Sequence, residues 1–527
     1  MTSIALIPEL LQKILSYHKE NPKIIFKCAL VSKSWCDTAI PFLWKKPFRF
    51  CYSTFHYKIV RVYLQFLHKE FLEKFDLNQI IFSDNSSPPS YNYLSFLQEF
   101  VYLTLYESLL NLLKKQRSYK TLSTSEKDQD DQLCPSFHPS KQFMINKLLP
   151  ILNELCNLFI KNGTKILNFN LSALYVNCSC KWFPLNDIKL PLNSLSSIQS
   201  FICDNNGCDF GDIVMELSKY SRNIFSIEIK KPQSHQNISQ WVTLINSQRY
   251  LQKLKLEMFY SKYSSMIALA IPSQYHSLKE VELTYCKFYQ ASLLDELSSC
   301  PNLISLKVKD CSFTEKSKII NHFVSLKSLY VSKSQLPQEY FLAMLGKPSK
   351  LEKITLNLID FFKYPKIIPF ICLNCFQLKV LEIVLVEETF EKLIPIMENC
   401  QLLEEISIWE KFDCIGHEFY DYHDSYFGNY MNPNLVIKKI SNCLPRNLKK
   451  LHFSQLFNFT FEDIQYFIQN APNTLQDLKF YIIVNDKNNV INLLENFAGN
   501  RKSIIKHSES RINYSKIIHH IFIAKFL

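Results

Sequence analysis

The sequence predicts an α/β protein: a helical N-terminal part, then a curved solenoid of about twelve strand-helix repeats with parallel strands on its concave face. Two observations carry this. From Ile166 onward the pattern L-x-x-L-x-L, with Ile, Val or Phe allowed, recurs along the chain. Before it, apolar residues recur at helical spacing between polar breaks. A third observation removes alternatives. Seven glycines in 527 residues, with Asp212 rather than Lys after the only tight pair, Gly207 and Gly211, leave no phosphate-cradling loop. No G-x-S-x-G nucleophile elbow is present either.

Residues 1–48 read as three short helices. Pro8 opens PELLQKILSYH, with Leu10, Leu11, Ile14 and Leu15 at helical spacing. Asn21 and Pro22 form a cap and first-turn pair for PKIIFKCALV, and Ser32 caps a third helix around Trp35. So few residues make a thin core, and exposed apolar side chains there call for a partner. Residues 49–162 read as a helical linker dense in aromatics, including YNYLSFLQEFVYLTLYESLLNLLKK, with a break at SDNSSPPS. Its polar stretch 116–141 reads as a flexible loop.

Residues 163–500 hold the repeats. They start at Ile166, Ile198, Ile224, Leu251, Leu278, Leu303, Leu326, Leu351, Leu378, Leu403, Leu448 and Leu475. Most intervals run from 23 to 27 residues, the window of a leucine-rich repeat with one strand and one return helix. Neither element can bury its apolar side without the neighbouring unit. Eight residues after the first leucine the turn wants Asn or Cys, and Asn206, Cys286 and Cys311 stand there; Cys300, Cys375 and Cys400 precede their leucines by three. This recurrence assigns these cysteines to packing. Residues 501–527 read as a cap sealing the last repeat, with a membrane-surface helix as the alternative, because six basic residues face one acidic residue there.

Strand geometry sends offsets two, four and six of each repeat to the concave face. Lysines there equal acids, eight of each. A nucleic-acid groove wants one sign, so the balance argues for a protein partner despite the net charge of +12. Candidate target contacts are Lys253, Lys255, Glu280, Glu282, Lys307 and Lys309, with Tyr330, Trp409, His452 and Tyr481 as aromatic or ring-bearing anchors. The 409–434 insertion reads as target contact or as a plain surface loop. Its His417 and His423 lack the i, i+4 spacing of a helical metal pair, and Cys372-Leu-Asn-Cys375 has no second C-x-x-C, so neither metal nor cofactor is expected.

No run reaches the roughly 20 apolar residues of a membrane helix; the stretch near Ile367–Leu373 is interrupted by Pro369. The opening MTSIALIPELLQ lacks a basic n-region, so no signal peptide is read. A cytoplasmic or nuclear protein with free thiols is expected, and no membrane partner.

The N-terminal segment resembles an F-box. The matching residues are Leu6, Glu9, Leu10, Leu11, Ile14 and Leu15, then Leu30, Val31, Ser32, Lys33 and Trp35, then Leu43 and Trp44. Ile7 takes the family's proline position and Pro8 follows it. With the repeats behind it, the chain resembles the F-box and leucine-rich-repeat proteins expanded in fungi and other eukaryotes. The resemblance implies a non-catalytic substrate receptor of an SCF-type cullin–RING ubiquitin ligase, docked through a Skp adaptor to cullin and RING subunits. It implies adaptor contacts among Leu6, Ile7, Pro8, Glu9, Ile14, Leu15, Leu30, Val31, Lys33, Trp35 and Trp44, some of which must instead fill the small core. A scaffold or ligand receptor working without a ligase is the alternative, favoured by the Ile7-Pro8 shift.

Overall fold

A computed structural model describes residues 8–49, 53–81, 89–123, 144–162, 165–172, 195–204, 210–232, 235–260, 264–288, 292–313, 322–346, 349–357, 365–385, 393–410, 433–453, 458–482, 487–498, 503–511 and 518–526. It comprises two units, Met1–Lys253 and Leu254–Leu527.

The first unit begins with helices α1 (Pro8–Tyr17), α2 (Pro22–Ala29) and α3 (Lys33–Trp44). The Asn21 side chain accepts from the Ile24 amide and Ser32 from the Trp35 amide, so both caps satisfy amides the helix itself leaves unpaired. Leu15, Ile25 and Ala39 form the buried centre, with Cys28, Trp35, Phe42 and Leu43 packed around it. Helices α4 (His56–Leu64), α5 (Lys69–Lys74) and α6 (Asn78–Ile81) follow.

The sheet of this unit starts earlier than the repeat count predicts, at β1 (Glu99–Val101), inside the stretch read as helical linker. Leu97, Phe100 and Tyr102 stand at offsets zero, three and five of the repeat and all are buried. Their first spacing, three, also fits a helix, which is why the sequence reads as one. Helix α7 (Tyr102–Ser123) starts at once and runs through Gln116–Ser123, which the sequence assigns to a flexible loop; the rest of that loop lies outside the described residues. A further helix spans Leu149–Asn162. Strands β2 (Asn168–Ser172), β3 (Ser200–Asp204) and β4 (Ser226–Lys230) pair in parallel after β1. Helices Gly211–Tyr220 and His235–Ser247 return the chain.

A backbone ladder runs along the strand starts of this unit. The amides of Leu167 and Asn168 both donate to the carbonyl of Gln98, those of Gln199 and Ser200 to Leu167, and those of Phe225 and Ser226 to Gln199. The Gln98 amide donates to the carbonyl of Lys45, one residue beyond α3, at 2.9 Å. Trp44 stacks on Tyr93 at 4.1 Å between ring centroids and meets Tyr63 edge-on at 5.4 Å. The three N-terminal helices are therefore built into the start of this sheet.

The second unit holds β5 (Lys253–Glu257, whose first residue closes the first unit), β6 (Glu280–Thr284), the two-residue β7 (Lys287–Phe288), β8 (Ser305–Lys309) and the two-residue β9 (Ser312–Phe313). Strands β10 (Ser328–Ser332), β11 (Lys353–Asn357), β12 (Val380–Leu385), β13 (Glu405–Glu410), β14 (Lys450–Phe453), the short β15 (Asn458–Phe459) and β16 (Asp477–Ile482) follow. Thirteen of the described strands carry the repeat, β1–β4 in the first unit and β5, β6, β8, β10–β14 and β16 in the second, and every one from β2 onward begins two residues after the first apolar residue of its repeat. Return elements include Ser292–Ser298, Gln338–Leu345, Ile367–Asn374, Leu393–Asn399, Pro433–Ser441, Phe461–Asn470 and Lys487–Ala498, with a 3₁₀ helix at Ser264–Gln274. The chain ends in an antiparallel hairpin, β17 (Ser503–Arg511) and β18 (Ile518–Phe526), with β18 paired to β16. These residues form strands, not the membrane-surface helix weighed from their charge. No described helix is long and apolar enough to cross a membrane.

Candidate functional site

Two surfaces present side chains that the core does not use. The first is on α1–α3. Leu30 and Val31, between α2 and α3, are 71% and 66% exposed, and Leu10, Tyr17 and Phe26 are exposed as well. Pro8 and Glu9 are exposed at the start of α1, and Ile14 is half-buried. Leu15 is fully buried among the three helices, so it holds the core and offers no face to an adaptor. Trp35 packs against the same core, and Trp44 is held between Tyr63 and Tyr93. Lys33 is exposed, its Nζ 2.8 Å from Asp37 and 3.0 Å from the Tyr91 hydroxyl, which donates to Asp37 Oδ1 at 2.6 Å. The hydrogen bond to Asp37 holds the Lys33 ammonium above its ordinary range. Leu6 and Ile7 lie outside the described residues. Tyr17 and Phe26 are absent from the motif; only their place on the outer side of amphipathic helices marks them.

The second surface is the open face of the strands in the second unit. Burial alternates along each strand as a sheet covered on one side requires: Leu254, Leu256, Val281, Leu283, Leu306 and Val308 are buried, whereas offsets two, four and six point away from that core. Register places Glu282 beside Lys307, Lys307 beside Tyr330, Tyr330 beside Thr355 and Thr355 beside Glu382. Charges meet across strands. Glu282 lies 2.9 Å from Lys307 and 3.8 Å from Lys255, Glu382 lies 3.0 Å from Lys353, and Glu405 lies 3.0 Å from Lys450. His452 Nε2 is 3.2 Å from Asp477 Oδ1. Lys307 also lies 5.4 Å from the Tyr330 ring centroid. Lys253 and Glu280 are exposed at their strand starts, and Trp409 is exposed near the end of β13. The Tyr481 side chain and the insertion at 411–432 lie outside the described residues.

The turns after these strands contain what the sequence pattern missed. Met258, Tyr285, Asp310 and Lys333, each seven residues after its first leucine, hold φ between 47° and 59°. Their amides donate to the strand-end carbonyls of Thr284, Lys309, Ser332 and Asn357 respectively. At the next position Cys286 and Cys311 are buried, as read from the sequence, and Ser334 occupies the same place in the following repeat. The Cys311 amide donates to Ser334 Oγ at 3.1 Å, and that hydroxyl donates to the Ser332 carbonyl at 2.8 Å.

Cys300, Cys375 and Cys400 are buried, and their carbonyls accept the amides of Leu303, Leu378 and Leu403. Burial pushes the thiols of Cys300 and Cys400 up to about 12, and those of Cys372 and Cys375 up to about 11. A thiol kept neutral is a poor nucleophile. Among the described residues no three His, Cys, Asp or Glu side chains cluster as a metal site.

The family description "F-box-like" matches residues 8–50. No curated protein matches the chain. Solved structures similar to it include an internalin from Listeria monocytogenes, at 12% identity and a TM-score of 0.33, covering 61% of this chain and 76% of that one. The chain thus carries an F-box-like domain at residues 8–50 ahead of a parallel, leucine-rich-repeat type α/β array.

Proposed function

We propose that the chain is a substrate-recognition subunit of an SCF-type cullin–RING ubiquitin ligase. Its N-terminal helices dock on a Skp adaptor, its strand face binds a target protein, and the chemistry belongs to other subunits. The observation that supports this reading is the exposure of Leu30 and Val31 next to a core that is already closed by Leu15, Ile25 and Ala39. Burying one such side chain against a partner contributes about 1.5–3 kcal/mol. Pro8, Glu9 and Ile14 extend the same docking face.

Co-purification of the full chain with a recombinant Skp-type adaptor tests it. The double variant Leu30→Ala/Val31→Ala should bind at least about tenfold more weakly, while its unfolding midpoint stays near the parent's because both side chains are exposed. Undiminished co-purification by that variant, or no binding by the parent chain at micromolar concentration, overturns the ligase assignment in favour of a scaffold.

A further inference from the structure

On the open face and turns of the second unit, most cations have an acid of this chain beside them. Lys255 and Lys307 share Glu282, Lys353 reaches Glu382, and Lys450 reaches Glu405. Lys309 and Lys333 differ. Among the described residues no carboxylate comes within 4.0 Å of Lys309 at the end of β8 or of Lys333 in the turn after β10. Register sets Lys309 beside Ser332 on one side and Thr284 on the other, so Lys333 follows directly on Lys309's neighbour. The Tyr285 ring lies 5.6 Å from Lys309 Nζ, and both Tyr285 and Tyr260 are exposed. The acid next in sequence, Asp310, is half-buried, and burial pushes its carboxyl up against the pull of Lys333 and Lys309.

We propose that Lys309 and Lys333, with the ring of Tyr285 beside Lys309, form a subsite that receives a glutamate- or aspartate-rich segment of the target protein. Charge complementarity selects this occupant. Lys309 closes β8 and Lys333 follows the neighbouring strand β10, strands lie about 4.8 Å apart, and an extended peptide puts residues i and i+2 on one side about 7 Å apart, a span that two long lysine stems cover. Lysine is a point charge without the fork that grips phosphate at two oxygens, and no arginine occurs between Arg249 and Arg446, so single-point contacts to carboxylates fit better than a phosphoryl clamp. The exposed ring of Tyr285 adds rigid apolar area beside Lys309. This subsite rests on the reading of the strand face as the target surface but not on the ligase.

The test is fluorescence anisotropy of the purified full chain with a labelled peptide of alternating glutamate and serine, its glutamine counterpart and its phosphoserine counterpart with glutamine. The glutamate peptide should bind, more weakly at higher salt, and the double variant Lys309→Gln/Lys333→Gln should weaken it about tenfold. Lys450→Gln, which removes a paired lysine of the same face, should change the affinity by less than about twofold. Equal binding of the glutamate and glutamine peptides, or an unchanged affinity in the double variant, overturns the proposal. Stronger binding of the phosphoserine peptide that the same two substitutions abolish overturns the carboxylate assignment. Adaptor co-purification by the double variant, expected unchanged, keeps a failure here distinct from a failure of the ligase reading.

Discussion

Lys231, Met258, Tyr285, Asp310 and Lys333 hold left-handed backbone at one position of five successive repeats, in a chain with only seven glycines. Each such residue costs on the order of 1 kcal/mol, offset at Met258, Tyr285, Asp310 and Lys333 by the amide bond that the turn makes to the next strand. The five share no chemistry, so no motif in the sequence marks the position. The cysteines are the opposite case: their recurrence at fixed offsets makes burial legible in the sequence. Burial has a pH consequence. An unfolded thiol titrates near pH 8.5, whereas those of Cys375 and Cys400 are pushed up to about 11 and about 12. Between those values the folded chain holds protons that the unfolded chain has lost, so stability falls as pH rises. Urea midpoints measured at pH 8 and pH 10.5 should differ less in Cys375→Ala/Cys400→Ala than in the parent, whatever the other groups that titrate there contribute.

Elements were legible where their apolar residues keep one period. The strands from β2 onward in the parallel array begin where the repeat places them, because three buried positions fix both face and register. Strand β1 escaped because Phe100 and Tyr102 replace aliphatic residues of the repeat and a helix begins directly after it. The C-terminal hairpin escaped because a tally of charge says nothing of shape, while the isoleucines of 518–526 favour strand. Between elements, one side chain ties two repeats together. Buried Gln248 donates to the carbonyls of Ser221 and Leu244 at 2.9 and 3.0 Å and accepts from the Ile224 amide at 3.0 Å. Gln248→Ala strands buried backbone groups at about 1–3 kcal/mol each, and a chemical-denaturation midpoint lowered by that order is the expected outcome.

At the scale of the molecule, the N-terminal motif was readable, but not which of its residues are core, as Leu15 and Trp35 are, and which are exposed, as Leu30 and Val31 are; nor was it readable which lysines of the strand face lack a carboxylate within reach, since pairing depends on cross-strand register. The end of the sheet follows a different logic. Strand β16 has its outer edge paired to β18 from Asp477 to Ile482. Ending the chain after Ala498 would expose that row of amides and carbonyls, a template for a second copy. Light scattering should then show concentration-dependent association that the full chain lacks. The start of the sheet has its own consequence. Because the Lys45 carbonyl takes the Gln98 amide and Trp44 lies on Tyr93, the three N-terminal helices are not a detachable module. A cut after residue 48 would leave β1 without its first hydrogen bond and two tyrosines without their indole. Grafting these helices onto another receptor would therefore have to carry the chain through at least Tyr102, while a graft ending at α3 would deliver a docking face that swings on its tether.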